Sequence, residues 1–119
     1  MIESHASPLD ERLVEVALKI LAEEGIEALT LRKVAREAGV SHGAPQRHFR
    51  SLADLLAVVA ARGFQLLSTT IGSAAHAIPA DADPLARLRA AGRAYVEAAV
   101  AHPDLFALMF RPETLDVTN

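Results

Sequence analysis

Between Pro8 and Phe49 the chain starts a helical apolar period, stops at Gly25, restarts, stops again at Gly39 and restarts once more. Each resulting helix is short. Helices of one to four turns are marginal in water by themselves, so they persist only by burying their apolar faces against one another. The chain is therefore bound to build a small, tightly turned helical unit at its N-terminal end. The local signals agree. Ser7, Pro8 and Asp10 open the first helix as N-cap, first helical residue and capping-box acid. Leu9, Leu13, Val16, Ala17, Ile20 and Leu21 make its apolar face. Thr30 caps a second helix that buries Leu31, Val34, Ala35 and Ala38, and Ser41 caps a third that ends at Phe49.

Past that unit the helical signals continue. Ser51 and Asp54 form another capping box ahead of Leu52, Leu55, Leu56 and Val59. Residues 78–84 form a Pro- and Asp-rich loop in which Asp83 caps a helix with Pro84 at its first position. His102-Pro103 interrupts the chain, a short apolar helix follows, and Pro112 stops it. These signals predict an all-α fold with helices over 8–24, 31–38, 42–48, 52–77, 84–101 and 104–110. Two units are expected, a helix-turn-helix DNA-binding domain over 7–50 and, over 51–119, a connecting helix with part of a helical effector-binding domain.

Charge points to a partner for the first unit. The 119-residue chain carries a net charge of −3, but Arg32, Lys33, Arg36, Arg47, Arg50 and Arg62 stand against only Glu37 and Asp54 in residues 30–62, a local charge of +4. A basic window in an acidic chain suggests contact with nucleic acid. The pair of short helices joined by Gly39-Val40 has the spacing of a helix-turn-helix, whose second helix enters the major groove. Small residues at its start, Gly43 and Ala44, allow close approach to base edges. Ser41, His42, Gln46, Arg47 and His48 can hydrogen-bond bases or phosphates. We expect Ser41, Gly43, Ala44, Gln46 and Arg47 to face the groove, and Thr30, Arg32, His48 and Arg50 to hold the backbone.

The run Thr30-Leu31-Arg32-Lys33-Val34-Ala35-Arg36-Glu37-Ala38-Gly39-Val40-Ser41-His42-Gly43-Ala44-Pro45-Gln46-Arg47-His48-Phe49 resembles the DNA-binding signature of the TetR family of transcriptional regulators almost position by position. Ile26 to Leu29 before it and Ser51 to Leu56 after it match as well, and Ala101 to Phe110 resembles a stretch in the effector domains of one TetR subgroup. The resemblance implies a repressor released from a near-palindromic operator on double-stranded DNA by a small hydrophobic effector. It also implies a homodimer, whose interface in the family is built from C-terminal helices beyond the end of this chain. One departure stands in the reading helix: the family commonly has tyrosine where this chain has Gln46, and glutamine can hydrogen-bond adenine or phosphate but cannot stack. For the effector, Leu67, Ile71, Tyr95, Phe106, Met109 and Phe110, with Leu66 and Val96, are the expected lining, since small-molecule pockets are mostly apolar.

Other chemistries lack a pattern. His42 and His48 are six residues apart, which puts them on different helix faces, so no metal site is expected. There is no cysteine, no nucleophile–base arrangement and no phosphate-cradling glycine loop, so neither an enzyme nor a cofactor is expected. The longest apolar stretch, Leu52 to Ala61, is broken by Asp54 and closed by Arg62, short of the roughly 20 apolar residues a bilayer requires. A cytoplasmic protein without a membrane partner is the expectation. The alternative reading is a helical protein-interaction module without DNA binding; retention on heparin at low salt, lost as salt rises, separates the two.

Overall fold

The computed structural model describes residues 8–111, all helix and connecting turn with no strand among them. The helices are α1 (Pro8–Glu24), α2 (Leu31–Ala38), α3 (Ala44–His48), α4 (Leu52–His76), α5 (Pro84–Ala101) and α6 (Pro103–Met109), with a 3-10 turn at Ile26–Ala28 between the first two. Five of the expected helices agree within a residue at each end. The expected Ser7 cap and the Pro112 stop lie outside the described residues.

α1 buries Leu13, Val14, Ala17, Ile20 and Leu21. Val14 takes the inner position expected of Val16, which with Leu9 is only half-buried. The 3-10 turn was not foreseen; it carries the chain to Leu29, which drops fully into the core. At α2 the Thr30 hydroxyl accepts a hydrogen bond from the Lys33 N–H at 3.0 Å, satisfying one of the orphan donors of the helix start. At its far end Gly39 takes the left-handed conformation, φ 74°, and turns its N–H back to the α2 carbonyls. Any other residue there is strained.

The third helix begins two residues later than expected. Gly43, not Ser41, stands at its N-cap, and no side chain caps it. The reason is Pro45. A helix capped at Ser41 would close its first bond from the N–H of residue 45 to the Ser41 carbonyl, and proline has no N–H. The Ala44 N–H takes that carbonyl instead, in a tight turn at 3.1 Å.

α4 is the spine. Ser51 Oγ accepts from the Asp54 N–H at 3.2 Å and starts it. α5 lies along α4, and α6 packs against α4 and α1. By length and composition α4 could cross a membrane, because the helix continues well past Ala61; the apolar run expected to be too short is part of this longer element. Here Leu55, Val59, Ala60, Gly63 and Leu67 are instead buried against neighbouring helices. Asp83 caps α5 through the Leu85 N–H at 3.0 Å, and Arg87 reaches back to the carbonyls of Ala75 and Ile78 at the end of α4. One apolar cluster runs from Leu13 and Val34 through Phe49, Leu55 and Val59 to Leu108 and Met109. The buried residues on the two sides of Ser51 therefore share a core.

The closest approach in that core is at Gly63. A Cβ there would lie 2.7 Å from Met109 Sδ and 3.0 Å from Leu105 Cδ1. Met109 is fully buried, so its side chain must be displaced within the packed core to make room. Gly63→Ala should therefore destabilise the chain by about 1–3 kcal/mol, the usual cost of overpacking, despite alanine's better helix propensity. Urea unfolding of the two proteins measures it; an alanine variant as stable as the parent would show that α6 can move aside.

Candidate nucleic-acid interface

α2 and α3 form a steeply turned pair held from behind by apolar contacts. Val34, Ala35 and Ala38 of α2 and Ala44, Pro45 and Phe49 around α3 all point inward. Ser41, His42, Gly43, Gln46 and Arg47 are exposed on the other side. Ala44 is a correction: it is 7% exposed, because Pro45 and Phe49 draw the inner side of this short helix into the core. It packs inward and does not face a groove.

The basic window divides into two kinds of cation. Lys33 pairs with Glu24 at 2.6 Å and lies 4.0 Å from Glu37. Arg62 reaches Glu11 of α1 at 2.6 Å. These two hold the protein together. Arg32, Arg36 and Arg47 are exposed, and among the described residues none of the ion pairs found involves them. Arg50 extends into solvent with 93% of its side chain exposed, its Nε 3.4 Å from Asp54. Arg36 was not among the expected contacts, although its position one turn after Arg32 is legible in the sequence. Thr30 has its hydroxyl oxygen engaged as the α2 cap, and its O–H remains a donor.

His48 is placed differently from expectation. Its Nδ1 contacts the carboxylate of Asp10 in the first turn of α1, so the ring is oriented by the protein. Arg12, also on α1, donates to the Ala38 carbonyl at the C-terminal end of α2. In the sequence Asp10 reads as the capping-box acid of α1, and Arg12 carries no assigned role. Nothing local marks a contact made 26 or 38 residues away.

A concavity lies beside the C-terminal half of α1. It is a cavity of about 620 Å³ between α1, α4, α5 and α6. Leu66, Leu67 and Phe106 of the expected effector set line it, together with Leu18 and Leu21 of α1, Gly63, Ala98 and Leu105. Ile71, Tyr95, Met109 and Phe110 do not. Met109 is buried in the core beneath Gly63. Tyr95 is turned to the outside and meets Phe106 edge-on at 5.7 Å, and Phe110 packs edge-on against Phe64 at 5.3 Å. Leu21 was missed because it reads as plain core of the first unit, and Leu18 because it stands off the apolar face read for α1. The polar groups at the cavity are Lys19, Thr70, Glu97, His102 and Asp104.

Residues 13–59 match the model of the bacterial regulatory proteins of the tetR family. Over residues 13–59 the chain carries the DNA-binding helix-turn-helix segment of the TetR family. An HTH-type transcriptional regulator of Staphylococcus aureus strain USA300 is 34% identical over 59 residues, which are 50% of this chain and 32% of that protein. The chain thus matches about a third of the length of these curated relatives. Among solved structures, a protein of unknown function from Rhodococcus sp. RHA1 superposes with a TM-score of 0.78 at 34% identity, over 97% of this chain and 62% of that one. A possible TetR family transcriptional regulator from Streptomyces coelicolor A3(2) gives a TM-score of 0.65 at 31% identity, over 88% of this chain and 51% of that one. The all-α architecture with its helix-turn-helix is the family's.

We propose that Gln46 and Arg47, on α3, read bases and that Arg50, just beyond it, grips a phosphate. Arg47→Ala or Gln46→Ala should change sequence preference, with a loss of about 1–3 kcal/mol on the preferred site if the contact is bidentate to a base. Arg50→Ala should weaken binding to specific and random DNA alike and reduce the salt slope by about one unit. Fluorescence anisotropy on both DNAs at several salt concentrations checks this; identical behaviour of the two classes would refute the division.

Proposed function

We propose that the chain is a sequence-specific DNA-binding transcriptional regulator, a repressor that leaves its operator when a small hydrophobic effector occupies the cavity. The observation that carries the reading is the α2–α3 pair, whose inner side is wholly apolar and whose outer side presents Ser41, His42, Gln46 and Arg47 beside exposed Arg32 and Arg36. That arrangement suits a recognition helix in the major groove with cations on flanking phosphates. Gln46 can bond adenine in a bidentate way. The cytoplasm is the compartment where such a protein meets its DNA, and the reading requires neither cofactor nor catalysis.

A single short reading helix covers few base pairs. Two copies placed on successive major grooves, about 34–36 Å apart, read a near-palindromic operator. A homodimer is therefore part of the proposal, and exposed Leu85, Leu88, Val96 and Val100 on α5 leave apolar surface that favours association. The effector's class follows from the cavity wall, which is mostly aliphatic around Leu18, Leu66, Leu67 and Phe106. Binding of effector and of DNA then oppose each other through one coupling free energy.

Selection of bound fragments from a random DNA pool tests the reading. A two-fold symmetric consensus is expected, and light scattering should show the protein bound as two copies. Recovery of random sequence only would favour the interaction-module alternative. A hydrophobic ligand that binds at the cavity and leaves operator affinity unchanged would remove the effector part alone.

A further inference from the structure

Two elements join the cavity to the reading pair: α4, which lines the cavity through Gly63, Leu66 and Leu67 and follows α3 in the chain, and α1, which holds the pair by polar contacts. The C-terminal half of α1 forms one wall of the cavity through Leu18, Lys19, Leu21 and Ala22. Its N-terminal half grips the DNA-reading pair twice: Asp10 holds the His48 ring at the end of α3, and Arg12 holds the Ala38 carbonyl at the turn between α2 and α3. The two sets of residues are about 9–18 Å apart along one unbroken helix at 1.5 Å per residue. The packing order agrees. α2 packs on α1 and α3 on α2, whereas the principal neighbours of α4 are α5, α6 and α1. α1 is also tied to α4, by apolar contacts and by the ion pair of Arg62 with Glu11, which does not touch the reading pair.

We infer that α1 is the transmitting element, with Asp10 and Arg12 as positioning residues that turn occupancy of the cavity into displacement of the recognition helix. The inference rests on the repressor reading above and specifies how that site is regulated. An occupant pressing on Leu18 and Leu21 moves α1 as a rigid rod. Asp10 and Arg12 sit at its other end, so both grips on α2 and α3 shift together. His48 is then a ring held in register by α1, and its contribution to DNA binding depends on that hold.

A tryptophan at Ala98, which lines the cavity from α5 opposite α1, serves as a built-in occupant. Operator affinity is measured for the full parent chain, Ala98→Trp, Asp10→Ala with Arg12→Ala, and the combination. Sites this far apart normally act additively. The expected result is a tenfold or greater loss of operator affinity from Ala98→Trp in the parent, and less than threefold once Asp10 and Arg12 are alanine. The salt slope of the Asp10/Arg12 variant should equal the parent's, since Asp10 contacts no phosphate and Arg12 is committed to a carbonyl. Equal losses in both backgrounds would overturn the α1 route and leave the cavity reading standing. No loss in the parent, with circular dichroism and melting unchanged, would overturn the cavity reading and the route with it. If Ala98→Trp does not fold, Ala101→Phe, on the same wall, takes its place in the cycle.

Discussion

α2 and α3 have eight and five residues, well below the length at which an isolated helix holds in water. They exist because α1 offers them an apolar face. Leu13, Ala17, Ile20 and Leu21 receive Leu29, Val34, Ala38 and Phe49, and burial of such side chains stabilises by about 1.5–3 kcal/mol each for the larger ones. Everything exposed on the reading pair is exposed because its other side is committed to α1. The same commitment removes Ala44 from the outer surface, while the missing N–H of Pro45 delays the start of α3.

That dependence places α1 at the centre of the molecule in a functional sense as well. Its inner face is the shared core, its last turns wall the cavity, and its first turns hold the reading pair by polar contacts. A cavity of about 620 Å³ lies within the usual range of small-molecule sites, and it opens beside the helix on which α2 and α3 rest. Gly63 sharpens the arrangement. Lacking a side chain, it lets α6 pack onto α4 at Met109 and also contributes to the cavity wall. Core packing and cavity shape are thus set by the same contact, which leaves little room to alter one without the other.

Much of this was legible in the residues. Caps and breaks at Thr30, Gly39, Ser51, Asp83 and Pro84 mark the bounds of α2, α4 and α5, because capping and breaking act within a few residues of sequence. The exposed set Ser41, His42, Gly43, Gln46 and Arg47 could be named from the motif. The roles of individual cations could not. Lys33 and Arg62 look no different from Arg32 and Arg47 along the chain, yet the first two are bound to Glu24 and Glu11. An ion pair depends on where another helix brings its carboxylate, and no local rule encodes that.

The sequence alone determined the helix content, the two-turn rhythm of the N-terminal unit and the concentration of positive charge in residues 30–62. These follow from periodicity, caps and composition, which are properties of neighbouring residues. The tertiary structure decided which cations remain free, that His48 is held by Asp10, that Ala44 is buried, and that Leu18 and Leu21 face a cavity while Ile71, Tyr95, Met109 and Phe110 do not line it. Those outcomes depend on how helices distant in sequence cross one another, since a side chain's surroundings are set by the packing partner and not by the helix that carries it.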